Sequence, residues 1–108
     1  DRPLDWSQDA AVLARKIRAL APLPGAFAGW RGDPVRVLAA SATAAGTGSP
    51  VPGTVVAVTV DGIDVACGGD SSLRLARLQP AGGRPMSAVA FAAGRGVAPG
   101  LLFDTPAR

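Results

Sequence analysis

Thr54-Val55-Val56-Ala57-Val58-Thr59-Val60-Asp61-Gly62-Ile63-Asp64-Val65-Ala66-Cys67 decides what kind of fold this chain builds. Thr54 to Val60 is rich in β-branched residues and reads as a strand. Asp61-Gly62 reads as a two-residue hairpin turn, and beyond it Ile63, Val65 and Cys67 alternate with Asp64 and Ala66, the pattern of a strand with one buried face. Downstream, past Cys67-Gly68-Gly69-Asp70, the segment from Ser72 to Gln79 sets Leu73 and Leu75 on one face with Arg74 opposite. Leu78 falls out of that phase, which predicts a bulge. After a Pro/Gly loop, Ser87 is placed to cap a short helix holding Met86, Val89, Ala90 and Phe91 before Gly94.

Upstream of the central hairpin, Ala42 to Gly53 is small-residue and turn-rich. It joins strand to strand and carries no cation, so it lacks the strand-to-helix setting of a phosphate-cradling glycine loop. A second hairpin is expected from Ala26 to Arg31 through Gly32-Asp33-Pro34 to Val35–Ser41. From Gln8 to Ala21, the apolar positions Leu13, Ile17, Leu20 and Ala21 recur at i, i+4, i+7 and i+8, one face of a helix. Asp5 or Ser7 is expected to cap it, Asp9 favours its first turn, Lys16 and Arg18 its last, and Pro22 and Pro24 end it. Trp6, beside the cap, is expected to plug the core. Helix first, roughly five strands and a helix last predict a mainly β fold with flanking helices. The expected form is a small open antiparallel barrel, OB-like and Greek-key.

Composition narrows the function. A chain of 108 residues holds one small domain, so residues 1–108 are read as a single unit; 14 Gly and 10 Pro leave little room for long helices. His, Glu, Asn and Tyr do not occur, which removes the usual general base and any Ser-His or Cys-His nucleophile pair, and no catalytic residue is assigned. The single cysteine, Cys67, permits neither a disulfide nor a thiolate metal cage within the chain, and no metal site is expected. Most of the Asp residues occupy cap and turn positions, and none pairs convincingly with another for acid/base work. The opening Asp1-Arg2 has no apolar run after it and no segment approaches a bilayer span, so a cytoplasmic, membrane-free chain is expected. All the basic residues but Lys16 are Arg, and the formal net charge is +3, modestly basic.

Two blocks are more particular. One is Leu78-Gln79-Pro80-Ala81-Gly82-Gly83-Arg84-Pro85-Met86-Ser87-Ala88. The other runs from Asp5-Trp6-Ser7 into a basic amphipathic helix closing on Ile17-Arg18-Ala19-Leu20-Ala21-Pro22-Leu23-Pro24-Gly25-Ala26. Together with Pro34-Val35-Arg36-Val37, Pro52-Gly53-Thr54-Val55, Gly62–Gly68, Leu73-Arg74-Leu75 and Pro99-Gly100, in this order, they resemble the C-terminal domain of methionyl-tRNA formyltransferases. The resemblance covers nearly the whole chain. It implies a barrel that holds initiator methionyl-tRNA and is covalently linked to an N-terminal formyltransferase domain absent from this chain. That domain would carry the catalytic Asn, His and Asp and use 10-formyltetrahydrofolate as co-substrate; the barrel itself would bind no cofactor and act as a monomer.

The same resemblance points to Arg36, Arg84 and Arg95 as RNA-binding residues, with Arg18 and Arg74 as weaker candidates. Gln79 reads as a loop-stabilising amide or an RNA contact. One departure stands out: the family's loop usually has two consecutive basic residues after Ala-Gly, whereas this chain has Gly83-Arg84. Two other readings stay open: the same barrel on a formyltransferase acting on sugars or another small acceptor, and a non-enzymatic RNA- or protein-interaction module. A chain opening so close to Asp-Trp-Ser is expected to be an excised or truncated domain.

Overall fold

In a computed structural model, residues 2–20, 25–44 and 51–104 are described. The first long element is a helix, α1 (Ala10–Leu20), with Ala10, Leu13, Ala14 and Ile17 buried on one face. It starts two residues later than its periodicity suggests, and neither Asp5 nor Ser7 caps it. Asp9 accepts from the Ala11 N–H at 2.9 Å, and Ser71, far along the chain, accepts from the Ala10 N–H at 2.8 Å. Asp5 instead binds the backbone N–H and hydroxyl of Ser7, at 3.0 and 2.6 Å, in a local turn. These bonds, the side-chain one first, hold the Asp5 carboxyl below its ordinary pKa. The expected Pro22 and Pro24 stop lies outside the described residues.

The strands are β1 (Arg2–Pro3), β2 (Ala26–Trp30), β3 (Asp33–Ala44), β4 (Val55–Thr59), β5 (Gly62–Cys67), β6 (Ser71–Pro80) and β7 (Met86–Ser87), followed by α2 (Ala88–Arg95). They form one seven-stranded sheet in the order β1-β2-β3-β6-β5-β4, with β7 on β6. β1 runs parallel to β2; every other strand pair is antiparallel. The order β3-β6-β5-β4 is a Greek key. The bulge expected near Leu78 is present: the β3–β6 register shifts between Val37 and Ala40, and Ala76 and Arg77 face solvent together. β3 is longer than the pattern suggests, because its small residues Ala42, Thr43 and Ala44 still pair with β6; residues 45–50 of the expected loop lie outside the described residues.

Both hairpin turns are displaced by one or two residues. Thr59 pairs with Gly62, so the β4–β5 turn is Val60-Asp61 and Gly62 belongs to the strand. Gly62 is required there by its φ of 145° and because a Cβ would collide with the Leu75 carbonyl oxygen of β6. Trp30 pairs with Asp33, so the β2–β3 turn is Arg31-Gly32, with φ of 51° and 88°. Two successive positive φ values suit the twist of a tight hairpin, at a cost of about 1 kcal/mol for a non-glycine residue in that region. Ser87 caps α2 as expected, accepting from the Ala90 N–H at 3.2 Å, but the helix passes Gly94 and ends at Gly96.

α1 and α2 cover the sheet, and the core between them includes Leu4, Leu13, Ile17, Ile63, Val65, Leu73, Leu75, Leu78 and Phe91, each 1% exposed or less. Burying each large aliphatic side chain contributes about 1.5–3 kcal/mol. The sheet itself is not closed. Its two ends are tied by the tail from Gly100 to Asp104, which exchanges backbone hydrogen bonds with Gly53 and Val55 on one side and with Gly29 of β2 on the other, at 2.7–2.9 Å. The tail carries Phe103 between the two tryptophans, its ring centroid 4.9 Å from Trp30 and 6.0 Å from Trp6. Trp6 is a core plug, 4% exposed.

Candidate nucleic-acid interface

Strand pairing brings the β2–β3 turn, the start of β3 and the end of β6 to one end of the barrel. Arg36 lies opposite Phe27 on one side and Gln79 on the other, and Val35 lies opposite Pro80. After Pro80 the chain turns at once, with the Gly83 N–H donating to the Pro80 carbonyl at 2.9 Å and Gly82 at φ 72°. Only glycine enters that position freely, which explains Ala81-Gly82 after the strand. The Gln79 side-chain amide donates to the Gly83 carbonyl at 3.1 Å and holds the loop.

Two adjacent hollows open at this end and share Pro34, Pro80 and Ala81 as walls. One, of about 180 Å³, is also lined by Trp30, Asp33, Phe91 and Arg95; the other, of about 130 Å³, by Phe27, Arg36 and Gln79.

The cations around these hollows are held in a common way. The Arg36 guanidinium stands 5.2 Å from the centroid of Phe27, and Arg95 stands 4.5 Å from that of Phe91, the buried ring one helical turn earlier. Gly25 leaves room for the Arg36 side chain; a Cβ there would come within 2.8 Å of Nε. That Nε is buried and has no hydrogen-bond partner among the described residues. Resting on a ring face fixes a guanidinium without neutralising it, since the ring offers a quadrupole rather than a full negative charge. Arg84 is exposed in the loop and makes no ion pair among the described residues.

The five arginines singled out from the sequence therefore divide. Arg36 and Arg95 line the hollows and Arg84 projects from the loop between β6 and β7. Arg18 is exposed on the last turn of α1, whose Leu20 carbonyl accepts from the N–H of Gly25, the residue against the Arg36 side chain, at 3.0 Å. Arg74 is held apart. It grips Asp64 of β5 through both oxygens, at 2.8 and 3.2 Å, and Asp64 raises its pKa by that hydrogen bond first and by its charge second. At about 3.3 Å per residue, Arg74 is roughly 16 Å along β6 from Gln79. The Arg74 and Asp64 side chains form an ion pair across the β5–β6 ladder. A fourth ring-mounted or loop cation escaped the sequence reading: Arg31, at the hairpin tip, stands 5.4 Å from the centroid of Trp30. The signal was the Trp30-Arg31-Gly32 order at a tight turn.

No helix among the described residues is long and apolar enough to cross a membrane. The family model for the formyl transferase C-terminal domain matches residues 1–96. A methionyl-tRNA formyltransferase of Neisseria meningitidis serogroup C (strain 053442) is 43% identical over 100 residues, 93% of this chain and 31% of the relative. That of Thiobacillus denitrificans is 45% identical over 97 residues, 90% of this chain and 31% of the relative. That of Burkholderia multivorans is 43% identical over 103 residues, 95% of this chain and 31% of the relative. The chain thus spans about 30% of the length of the curated relatives it matches. The open Greek-key barrel, its order of elements and this match agree, and the chain belongs to the formyl transferase C-terminal domain family.

Proposed function

We propose that this chain is the tRNA-binding domain of a methionyl-tRNA formyltransferase, presenting initiator methionyl-tRNA to a covalently linked N-terminal domain that transfers the formyl group from 10-formyltetrahydrofolate. The domain binds no cofactor of its own and works as a monomer in the cytoplasm. The observation that carries this reading is the end of the barrel where Arg36, Arg84 and Arg95 gather without a carboxylate holding any of them in an ion pair among the described residues. Such guanidiniums keep their N–H groups for bidentate contacts to phosphate oxygens.

The aromatic residues favour backbone contact over base stacking. Trp6, Trp30, Phe91 and Phe103 are 5% exposed or less, and the face of half-buried Phe27 lies under Arg36. Single-strand binders of the OB type stack bases on open aromatic faces, and none is open here. Recognition by phosphate position and helical shape is what remains, the mode suited to the stems of a folded RNA. Formyl transfer itself falls to groups outside this chain, which lacks His, Asn and Glu.

The test is a titration of this chain with initiator tRNA at low and moderate salt, beside a variant with Arg36, Arg84 and Arg95 all replaced by Ala. Saturable binding is expected, in a range of about 10⁻⁴ to 10⁻⁶ M that weakens as salt rises, and the variant loses it. Absence of binding at low salt, or binding untouched by the three substitutions, contradicts the proposal.

A further inference from the structure

We propose that Arg31 is a further phosphate-binding residue of this surface; the inference rests on the RNA-binding reading above. Arg31 comes from a different strand connection than Arg84, yet it stands on Trp30, and Trp30 is a wall of the same hollow that Arg95 lines. The floor under it is rigid. Trp30 is 5% exposed and packed at 4.9 Å against Phe103, so the ring fixes where the guanidinium goes.

The backbone sharpens the point. Arg31 holds φ at 51°, where Gly, Asn or Asp would be more at ease, so the local turn does not explain an arginine. Asp33 lies two residues on, exposed, yet it pairs with neither Arg31 nor Arg95 among the described residues. What the position presents is an exposed cation mounted on a ring, as Arg95 is on Phe91, free to meet a phosphate oxygen.

The variants are Arg31→Gly, which relaxes the turn while removing the charge, and Arg31→Lys, which keeps the charge but loses the planar fork. Each is titrated with initiator tRNA over a salt series, beside the parent chain and the Arg36/Arg84/Arg95 triple Ala variant. Arg31→Gly is expected to melt no lower than the parent, to bind more weakly, and to flatten the slope of log K against log salt by roughly 0.7 to 0.9, one phosphate contact. Arg31→Lys is expected to keep the slope and lose part of the affinity. If Arg31→Gly binds with the parent's affinity and slope while the triple variant fails, Arg31 is only a turn residue and the RNA-binding surface stands without it. If the parent itself does not bind, both the surface and Arg31's part in it fall.

Discussion

Arg36 and Arg74 lie on neighbouring strands of one sheet, and their surroundings differ in a single respect that decides their use. Arg74 faces Asp64 across the β5–β6 ladder and is neutralised by two hydrogen bonds. Arg36 faces Phe27 and Gln79 across its two ladders and keeps its charge. The half of the sheet around β5 cancels its charge internally, whereas the end formed by β2, β3, the Pro80 loop and α2 mounts its charge on rings. A modest net charge of +3 is thereby concentrated where partners can reach it.

Removing the aromatic floor breaks the comparison most severely. Phe103→Ala takes a 3% exposed ring from between Trp6 and Trp30 and is expected to destabilise the chain by about 3–5 kcal/mol, read as a fall in thermal midpoint. A near-neutral result would mean that the tail does not seal the barrel. Arg95→Ala comes next: RNA affinity should fall roughly tenfold with the melting temperature nearly unchanged, since a charge-assisted contact is lost but no core group is. Equal losses of stability and affinity would show that Arg95 acts by packing on Phe91.

Arg74→Ala should do the reverse, lowering the melting temperature and leaving RNA affinity where it was, because the largely buried Asp64 carboxylate loses its partner while the Arg74 guanidinium is already engaged. The smallest effect is one of pH. Burial pushes the Cys67 thiol from an ordinary value near 9.0 up to about 11. Between those values the folded chain keeps a proton that the unfolded chain releases, so stability falls as pH rises through that window, and Cys67→Ala should remove this part of the fall. An unchanged alkaline profile in Cys67→Ala would place the thiol in water.

The strands were legible because β-branched alternation and turn residues are local signals. Their ends were not, because pairing decides them: Gly62 joined β5 under the Leu75 carbonyl, and Ala42–Ala44 extended β3 by lying beside β6. β1, two residues held parallel to β2, leaves no pattern to read. The helix cap was missed for a similar reason, since Ser71 reaches α1 from the far side of the β5–β6 turn. Within the candidate site, Arg36, Arg84 and Arg95 were named through the family resemblance of the motifs around them; the structure sets Arg36 and Arg95 on the hollows and Arg84 in the exposed loop. The Asp64 partner of Arg74 could not be named, because it depends on β5–β6 register, and Arg31 was hidden by a turn displaced toward it.

Amide chemical-shift mapping of the chain during titration with initiator tRNA tests the central claim most directly. The largest changes are expected on Arg31 to Arg36, on Gln79 to Arg84 and on Arg95, with Asp64 and Arg74 little affected. Changes centred on the Asp64–Arg74 face, or none anywhere at low salt, would contradict that claim.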